Sequence, residues 1–162
     1  MEGLSKKEIK IVSYLELKDK RFFTREDIKK FFKDYNEMTV YLHRLKNKKR
    51  IISIRRGKYY LVPIEAYQNK WSEHPYIIID EIFDNRGYYI GGKSAANYWH
   101  LIDQVPTIID VYNTTRQGTK SIFNAKLRLI RTTKKNMKSY VLRKINNHPF
   151  IIASKEKSRK WI

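Results

Sequence analysis

Two helix-start signals near the beginning of the chain constrain its fold more than any other feature. In the first, Ser5 is followed three residues later by Glu8, and in the second Thr24 is followed by Asp27. A hydroxyl and a carboxylate at this spacing can each bind the other residue's backbone amide and so cap a helix. The sequence therefore predicts one helix up to about Leu17 and a second that begins after Thr24.

The spacing of apolar residues predicts the buried face of each helix. A third helix follows, with Asn36 as its predicted cap. The residues predicted to face a shared core are Ile9, Val12 and Leu15 on the first helix, Ile28, Phe31 and Phe32 on the second, and Met38, Tyr41, Leu42 and Leu45 on the third.

After the third helix the pattern changes from helical to strand-like. Ile51–Ile54 and Tyr59–Val62 are short β-prone runs separated by Arg55-Arg56-Gly57-Lys58, which predicts a hairpin with a basic tip. Three short helices followed by such a hairpin are typical of a winged helix-turn-helix domain, in which the third helix enters the DNA major groove and the hairpin contacts the flanking backbone. We predict such a DNA-binding domain over residues 1–66.

Side-chain chemistry assigns roles within this predicted domain. Arg44 suits a bidentate contact with guanine, and Val40 suits contact with a thymine methyl group. Contacts with phosphate fix the register and make binding salt-dependent without reading sequence. The predicted base-reading residues are Thr39, Val40, His43 and Arg44, and the predicted phosphate contacts are Lys46, Lys48, Arg55, Arg56 and Lys58.

The net charge favours a polyanionic partner. The chain has 35 Lys and Arg residues against 16 Asp and Glu residues, a formal net charge of +19, distributed as +9 over residues 1–66, −3 over residues 67–115 and +13 over residues 116–162. Nucleic acid is the first candidate partner and an anionic membrane surface the second. A second basic surface is predicted from Arg116, Lys120, Lys126, Arg128, Arg131, Lys134 and Lys135.

Residues 75–162 predict a small α+β domain whose sheet is basic and either mixed or antiparallel. Polar residues near Pro63–Pro75 mark the predicted boundary, and Thr114–Lys120 predicts a polar turn. The predicted helices are Pro75–Phe83 and Ser94–Leu101, and the predicted strands are Tyr88–Ile90, Ile108–Tyr112, Ile122–Thr133, Tyr140–Ile145 and Phe150–Ala153.

One motif matches a nucleotide-binding site in spacing alone. Gly87–Ser94 fits the phosphate-loop pattern G-x-x-x-x-G-K-S. A phosphate loop must expose its amides as a flexible nest, whereas Tyr88-Tyr89-Ile90 is itself strand-prone. The four histidines lack metal-ligand spacing, and no nucleophile–base pair is evident. We therefore expect a protein that is not an enzyme and holds no cofactor or metal.

Two alternatives use the same basic charge. A metal-dependent nuclease would need a basic surface equally, and an RNA-binding protein could use the basic C-terminal residues. The chain has no cysteine, so a disulfide framework is excluded. Its apolar runs are far shorter than the roughly 20 residues of a membrane span or the 7–15 of a signal-peptide core. We expect no membrane partner and a cytoplasmic location.

Three segments carry a family resemblance. Arg55–Tyr60, Tyr89–Leu101 and Ile108–Tyr112 occur in an order and pattern that resembles the AbiE-type antitoxin and viral-defence transcriptional regulator family. The resemblance covers roughly the whole chain, through loose patterns and no catalytic signature. It implies a winged helix-turn-helix joined to an AbiEi-like α+β domain, acting as an operator-binding repressor of a prokaryotic toxin–antitoxin operon.

The C-terminal end departs from this family. Phe150–Lys157 is similar to the family's strand and the start of its next helix, but the sequence stops at Ile162 where relatives continue with a further helical region. The C-terminal domain is therefore expected to be truncated relative to the family, and DNA binding is the expectation that does not depend on the missing region. The expected partners are double-stranded DNA, a second copy of the chain and a cognate toxin. A homodimer is expected because two half-sites raise specificity.

Overall fold

The computed structural model describes residues 3–63 and 73–162. The chain divides into two compact units, Met1–Trp71 and Ser72–Ile162. The fold class is mixed α+β, with helices and a sheet in each unit. Most of the stretch predicted as a boundary, Pro63–Pro75, lies outside the described residues.

The first unit packs helices against a small antiparallel sheet. Strand order in this sheet is β1-β3-β2. Within residues 3–63, eleven buried residues form the centre of its core, among them Ile11, Phe23, Leu42 and Tyr59. The elements are α1 (Lys6–Leu17), β1 (Phe22–Thr24), α2 (Arg25–Ile28), a 3₁₀ turn (Lys29–Phe31), α3 (Tyr35–Asn47), β2 (Ile51–Arg55) and β3 (Lys58–Leu61).

Both predicted capping boxes are present. Ser5 Oγ accepts a hydrogen bond from the Glu8 amide at 3.3 Å, and the Glu8 carboxylate accepts one from the Ser5 amide at 2.6 Å. Thr24 and Asp27 form the corresponding box at α2, where the Asp27 carboxylate accepts from the Thr24 amide at 2.7 Å. The helix starts predicted from these two motifs are confirmed.

Two details of the predicted helices are wrong. The cap of α3 is Asp34, whose side chain accepts a hydrogen bond from the Glu37 amide at 2.8 Å, and Asn36 lies inside the helix. On α1 the side chain of Ile9 is 50% exposed, whereas Ile11 is fully buried. The buried face of α1 therefore contains Ile11, Val12 and Leu15. Ile11 takes the place predicted for Ile9, so the buried face is rotated about the helix axis relative to the prediction.

The second unit is built on a six-stranded mixed sheet in the order β6-β7-β5-β4-β9-β8. Strand pairs β5/β7 and β4/β9 are parallel, and the other neighbours are antiparallel. The elements are α4 (Pro75–Phe83), β4 (Tyr88–Gly91), α5 (Gly92–Tyr98), β5 (Ile108–Asn113), β6 (Gly118–Ile122), β7 (Ala125–Arg131), a 3₁₀ turn (Lys134–Asn136), β8 (Tyr140–Ile145), β9 (His148–Ala153), α6 (Lys155–Ser158) and a final 3₁₀ turn (Arg159–Trp161).

The predicted strand Ile122–Thr133 is in fact part of a hairpin. Strand β6 pairs with β7 from Gly118↔Leu129 to Ile122↔Ala125, so the connecting turn lies at Phe123 and Asn124. The segment Thr114–Lys120, predicted as a polar turn, supplies the first half of β6. Polar residues are compatible with a strand there because β6 is at the edge of the sheet and mostly exposed.

Successive residues of a strand point to opposite faces of a sheet, so the pairing register defines two faces. The Tyr88 face carries Tyr88, Val111 and Ile152, and α4 packs on it through contacts such as the stacked rings of Phe83 and Tyr88. The Tyr89 face carries Tyr89, Tyr112 and Arg128 and is contacted by the C-terminal residues that follow β9.

Candidate nucleic-acid interfaces

All four residues predicted to read DNA bases lie on the exposed side of α3. Thr39, Val40, His43 and Arg44 are exposed, and the Val40 side chain retains 48% of its accessible surface. The opposite side of α3 is held in the core by Met38, Leu42 and Leu45. The helix therefore presents one polar and basic stripe to solvent while its other stripe is fixed by packing.

A cluster next to this stripe is not predicted by the sequence. The Arg25 guanidinium donates a hydrogen bond to the Thr39 hydroxyl at 2.9 Å and lies 4.4 Å from the centre of the Tyr35 ring. The Thr39 hydroxyl in turn donates to the Tyr35 carbonyl at 2.9 Å. Tyr35 is 63% exposed at the first position of α3. Arg25 and Tyr35 thus extend the exposed stripe of α3 towards its N-terminal end.

The hairpin between β2 and β3 has a two-residue turn, Arg56 and Gly57. Strand pairing extends to Arg55↔Lys58, one pair further than predicted, and Gly57 adopts φ +77°, a conformation that glycine accepts without strain. The Arg56 side chain is exposed, whereas Arg55 is half-buried and donates a hydrogen bond to the Arg56 carbonyl at 3.3 Å. Arg56 is the most accessible cation of the turn.

The two lysines after Arg44 differ in environment. Lys46 is exposed, as a phosphate contact requires. Lys48 has a side chain only 17% exposed, and its ammonium lies 2.8 Å from the buried Glu8 carboxylate and 2.9 Å from the Gly3 carbonyl. The geometry assigns Lys48 to the packing of α1 against the end of α3, so the predicted phosphate role of Lys48 needs correction.

The seven cations predicted as a second basic surface do not share one face of the sheet. Register places Lys126 and Arg128 on the Tyr89 face and Lys120 and Arg131 on the Tyr88 face. Arg116 lies near the Tyr88 face, 5.5 Å from the Phe83 ring centre. Lys134 and Lys135 lie in the 3₁₀ turn after β7. Arg128 and Arg131 lie on opposite faces because they are three residues apart and successive strand residues alternate between faces.

The positive charge of Arg128 is compensated by the carboxylate of Asp110 on β5. The Arg128 guanidinium makes a bidentate contact with Asp110, with both N–O distances 2.7 Å. The hydrogen bonds from Arg128 to Asp110 raise the pKa of Arg128 above its ordinary value. Gly92 adjoins this pair in a left-handed conformation (φ +62°), and a Cβ atom there would lie 2.3 Å from Asp110 Oδ2. The close approach of Asp110 explains why residue 92 is a glycine, and no bound nucleotide is needed to explain it.

The segment that matches the phosphate-loop pattern forms a strand and a helix start. Residues Tyr88–Gly91 are buried in β4 and pair with β5 and β9. Their backbone amides are therefore used in the sheet, which is unlike an exposed phosphate nest. Among residues 3–63 and 73–162, no group of three or more His, Cys, Asp or Glu side chains could hold a metal ion.

A buried polar cluster lies on the Tyr88 face. The Tyr88 hydroxyl donates to the Asp80 carboxylate at 2.7 Å and accepts from the Ile151 amide at 3.0 Å. His148 Nε2 lies 3.4 Å from Asp80 and 3.3 Å from Glu81. Burial, reinforced by the bond to Asp80, raises the pKa of Tyr88. The cluster connects α4 to β4 and β9, and we assign it a structural role.

Comparison with known proteins adds no identification: no family model matches the chain, and no curated protein matches it. Within the described residues, none of the helices has the length and apolar character that a membrane span needs.

Proposed function

We propose that the chain is a sequence-specific DNA-binding transcriptional regulator whose N-terminal unit is a winged helix-turn-helix domain. Three helices followed by a basic-tipped hairpin support this fold, and β1 completes the small sheet that such a domain contains. The observation that carries the proposal is the exposed stripe of α3, which presents Val40, His43 and Arg44 opposite a well-packed apolar side. A helix fixed in this way can insert its polar side into the major groove.

The proposed contacts divide into two classes. Arg44 and His43 read base edges, and Val40 offers an apolar surface to a thymine methyl group. Arg25 and Tyr35 lie at the N-terminal end of the same stripe, where the recognition helix of such domains meets the bases. Lys46, Arg55, Arg56 and Lys58 contact phosphate, which positions the domain and contributes the salt dependence.

The resemblance to AbiE-type regulators extends the proposal. We infer an autorepressor that binds upstream of its own operon as a homodimer, in a prokaryotic cytoplasm, with a toxin as the second product of the operon. The dimer is supported by the size of one recognition helix, because a single half-site offers few base pairs to read.

A gel-shift titration tests the proposal. Labelled DNA from upstream of the gene is competed with random duplex and with RNA, with and without magnesium. Retention of the upstream probe against excess competitor is the expected result, and we expect Arg44→Ala to remove that preference. Equal competition by any polyanion would overturn sequence reading, and loss of intact probe on addition of magnesium would favour a nuclease.

A further inference from the structure

A groove on the Tyr89 face has a composition that the proposed DNA contacts do not explain. Its volume is about 670 Å³, and its residues come from β4, β5, the segment after β7 and the C-terminal helix. Lysines border it at positions 135, 138, 157 and 160, and Glu156 is the one carboxylate among the described residues that line it. We call it the aromatic–lysine groove.

Two stacked tyrosine rings form the aromatic part of the groove lining. Tyr89 and Tyr112 stack with centres 5.0 Å apart and planes 6° from parallel. The Tyr89 ring is buried and the Tyr112 ring is half-buried. Beyond the lining of the groove, the Tyr140 ring centre lies 6.1 Å from that of Tyr89, and the Trp161 ring centre lies 5.9 Å from that of Tyr112. Tyr140 is 46% exposed, so its ring is available for a further stacked group. Leu142, two residues along β8 on the same face, is 63% exposed.

One lysine of the groove lies over the Tyr89 ring. The Lys157 ammonium lies 4.0 Å from the centre of the Tyr89 ring and donates a hydrogen bond to the Lys138 carbonyl at 2.6 Å. Burial, and then the positive charge of Lys160, lower the pKa of Lys157. The ammonium groups of Lys157 and Lys160 repel each other, and a bound phosphate group would relieve this repulsion.

An exposed aromatic ring beside lysines is a combination that recognises unpaired nucleotides. A base of a single strand can stack on the exposed Tyr140 ring while the lysines of the groove contact the phosphates. In a duplex the bases are already stacked on one another, so an exposed ring would contribute little. We propose that the aromatic–lysine groove binds single-stranded nucleic acid, independently of the duplex-reading surface of α3.

Fluorescence anisotropy with short labelled oligo(U) and oligo(dT) on the full-length protein tests this site. The double variant Lys135→Gln/Lys160→Gln removes two groove cations, and Lys126→Gln/Lys144→Gln removes two exposed cations outside the groove as a matched control. We expect the first variant to bind several-fold more weakly and to lower the salt slope by about 1.4, since each phosphate contact on a single strand contributes about 0.7. The control should change both quantities much less.

A third variant addresses stacking. Tyr140→Leu should weaken single-strand binding by about five-fold or more, because one base–aromatic stack contributes roughly that factor. Thermal unfolding of each variant verifies folding, and the exposed positions chosen make loss of the fold an unexpected result. Equal affinity for oligo(U) and oligo(dT) indicates recognition of backbone and stacking, whereas preference for oligo(U) indicates contacts with the 2′-hydroxyl; both support the site.

Three results would overturn the inference. The first is a wild-type protein that binds neither oligonucleotide at low salt. The second is an equal loss of binding in the groove and control variants. The third is loss of single-strand binding in Arg44→Ala while the groove variants retain it. Duplex binding measured on the same variants separates the two proposals. Loss of duplex preference in Arg44→Ala alone, with single-strand binding unchanged, supports both.

Discussion

The ammonium of Lys48 lies 2.8 Å from the carboxylate of Glu8 and joins the C-terminal end of α3 to the first turn of α1. Glu8 is fully buried and also completes the capping box of α1 with Ser5. The ion pair thereby helps to fix the orientation of α3, which carries the proposed base-reading residues, relative to α1. A lysine whose sequence position suggests a phosphate contact thus stabilises the domain.

Replacing Glu8 should destabilise the protein measurably. We expect Glu8→Gln to reduce the free energy of unfolding at neutral pH by about 1–3 kcal/mol, because the variant leaves buried groups incompletely paired. Urea denaturation followed by circular dichroism measures the change. Glu16→Gln, an exposed position on the same helix, is the control and should change the free energy by less than about 0.5 kcal/mol.

The contribution of Glu8 should depend on pH in a defined direction. Burial alone would raise the pKa of Glu8, but the hydrogen bonds from Lys48 and Ser5 outweigh it, and the net pKa lies below the ordinary value of 4.5. A carboxyl whose pKa is lowered by folding stabilises the folded state fully above its unfolded pKa and loses that contribution as the pH falls through its folded pKa. The stability difference between wild type and Glu8→Gln should therefore shrink as the pH falls below 4.5. A difference that grew in acid would contradict the ion pair.

Two glycines in left-handed conformations provide a matched pair in the second unit. Gly92→Ala places a Cβ 2.3 Å from Asp110 Oδ2, whereas at Gly87 (φ +70°) no atom lies within 4 Å of a Cβ. Gly87→Ala should cost about 1–2 kcal/mol from backbone strain. Gly92→Ala should cost about 1–3 kcal/mol more, because Asp110 must move away from Arg128. Chemical denaturation measures both changes in stability, and equal values would contradict the proposed packing.

The buried hydroxyl of Tyr88 should be important for stability. Tyr88→Phe removes the hydrogen bond to Asp80 and the acceptor for the Ile151 amide, and we expect it to reduce the free energy of unfolding by about 1–3 kcal/mol. Tyr140→Phe changes an exposed ring in the same sheet and should have little effect on stability. Similar values for the two variants would show that the cluster on the Tyr88 face contributes nothing.

The turn between β2 and β3 should contribute affinity without specificity. Arg56→Ala removes an exposed cation and should weaken binding to operator and random duplex by the same factor. The salt slope should fall by about 0.9, because the variant neutralises one phosphate fewer. Anisotropy titrations over a range of salt concentrations measure the slope. Lys18→Ala, an exposed cation at the end of α1, is the control. A change of sequence preference in Arg56→Ala would contradict this role.

Local signals predict much of the first unit. The capping boxes at Ser5 and Thr24 mark two helix starts because each motif is satisfied by residues three apart. Strand β1 (Phe22–Thr24) is not predicted, since three residues are too few for a periodic pattern and it is stabilised by pairing with β3. Asp34 is missed as a cap because Asn36 is equally suitable in chemistry, and only tertiary packing selects where the helix begins.

The candidate sites also differ in how much of them the sequence predicts. The exposed stripe of α3 follows from helical periodicity, so its residues can be predicted. Arg25 belongs to the stripe through a contact with Thr39 across α2 and α3, which no local pattern indicates. The aromatic–lysine groove combines Tyr89, Tyr112 and Lys157 from distant parts of the chain, and only the tertiary fold brings them together.

Selection of binding sites from a pool of random duplex DNA tests the central claim most directly. The wild-type protein and Arg44→Ala are each incubated with the pool, and the bound fragments are sequenced. We predict that the wild type enriches one motif containing a guanine and that Arg44→Ala relaxes the preference at that guanine while still binding duplex. Recovery of no motif by the wild type, or the same motif by both proteins, would contradict base reading by α3.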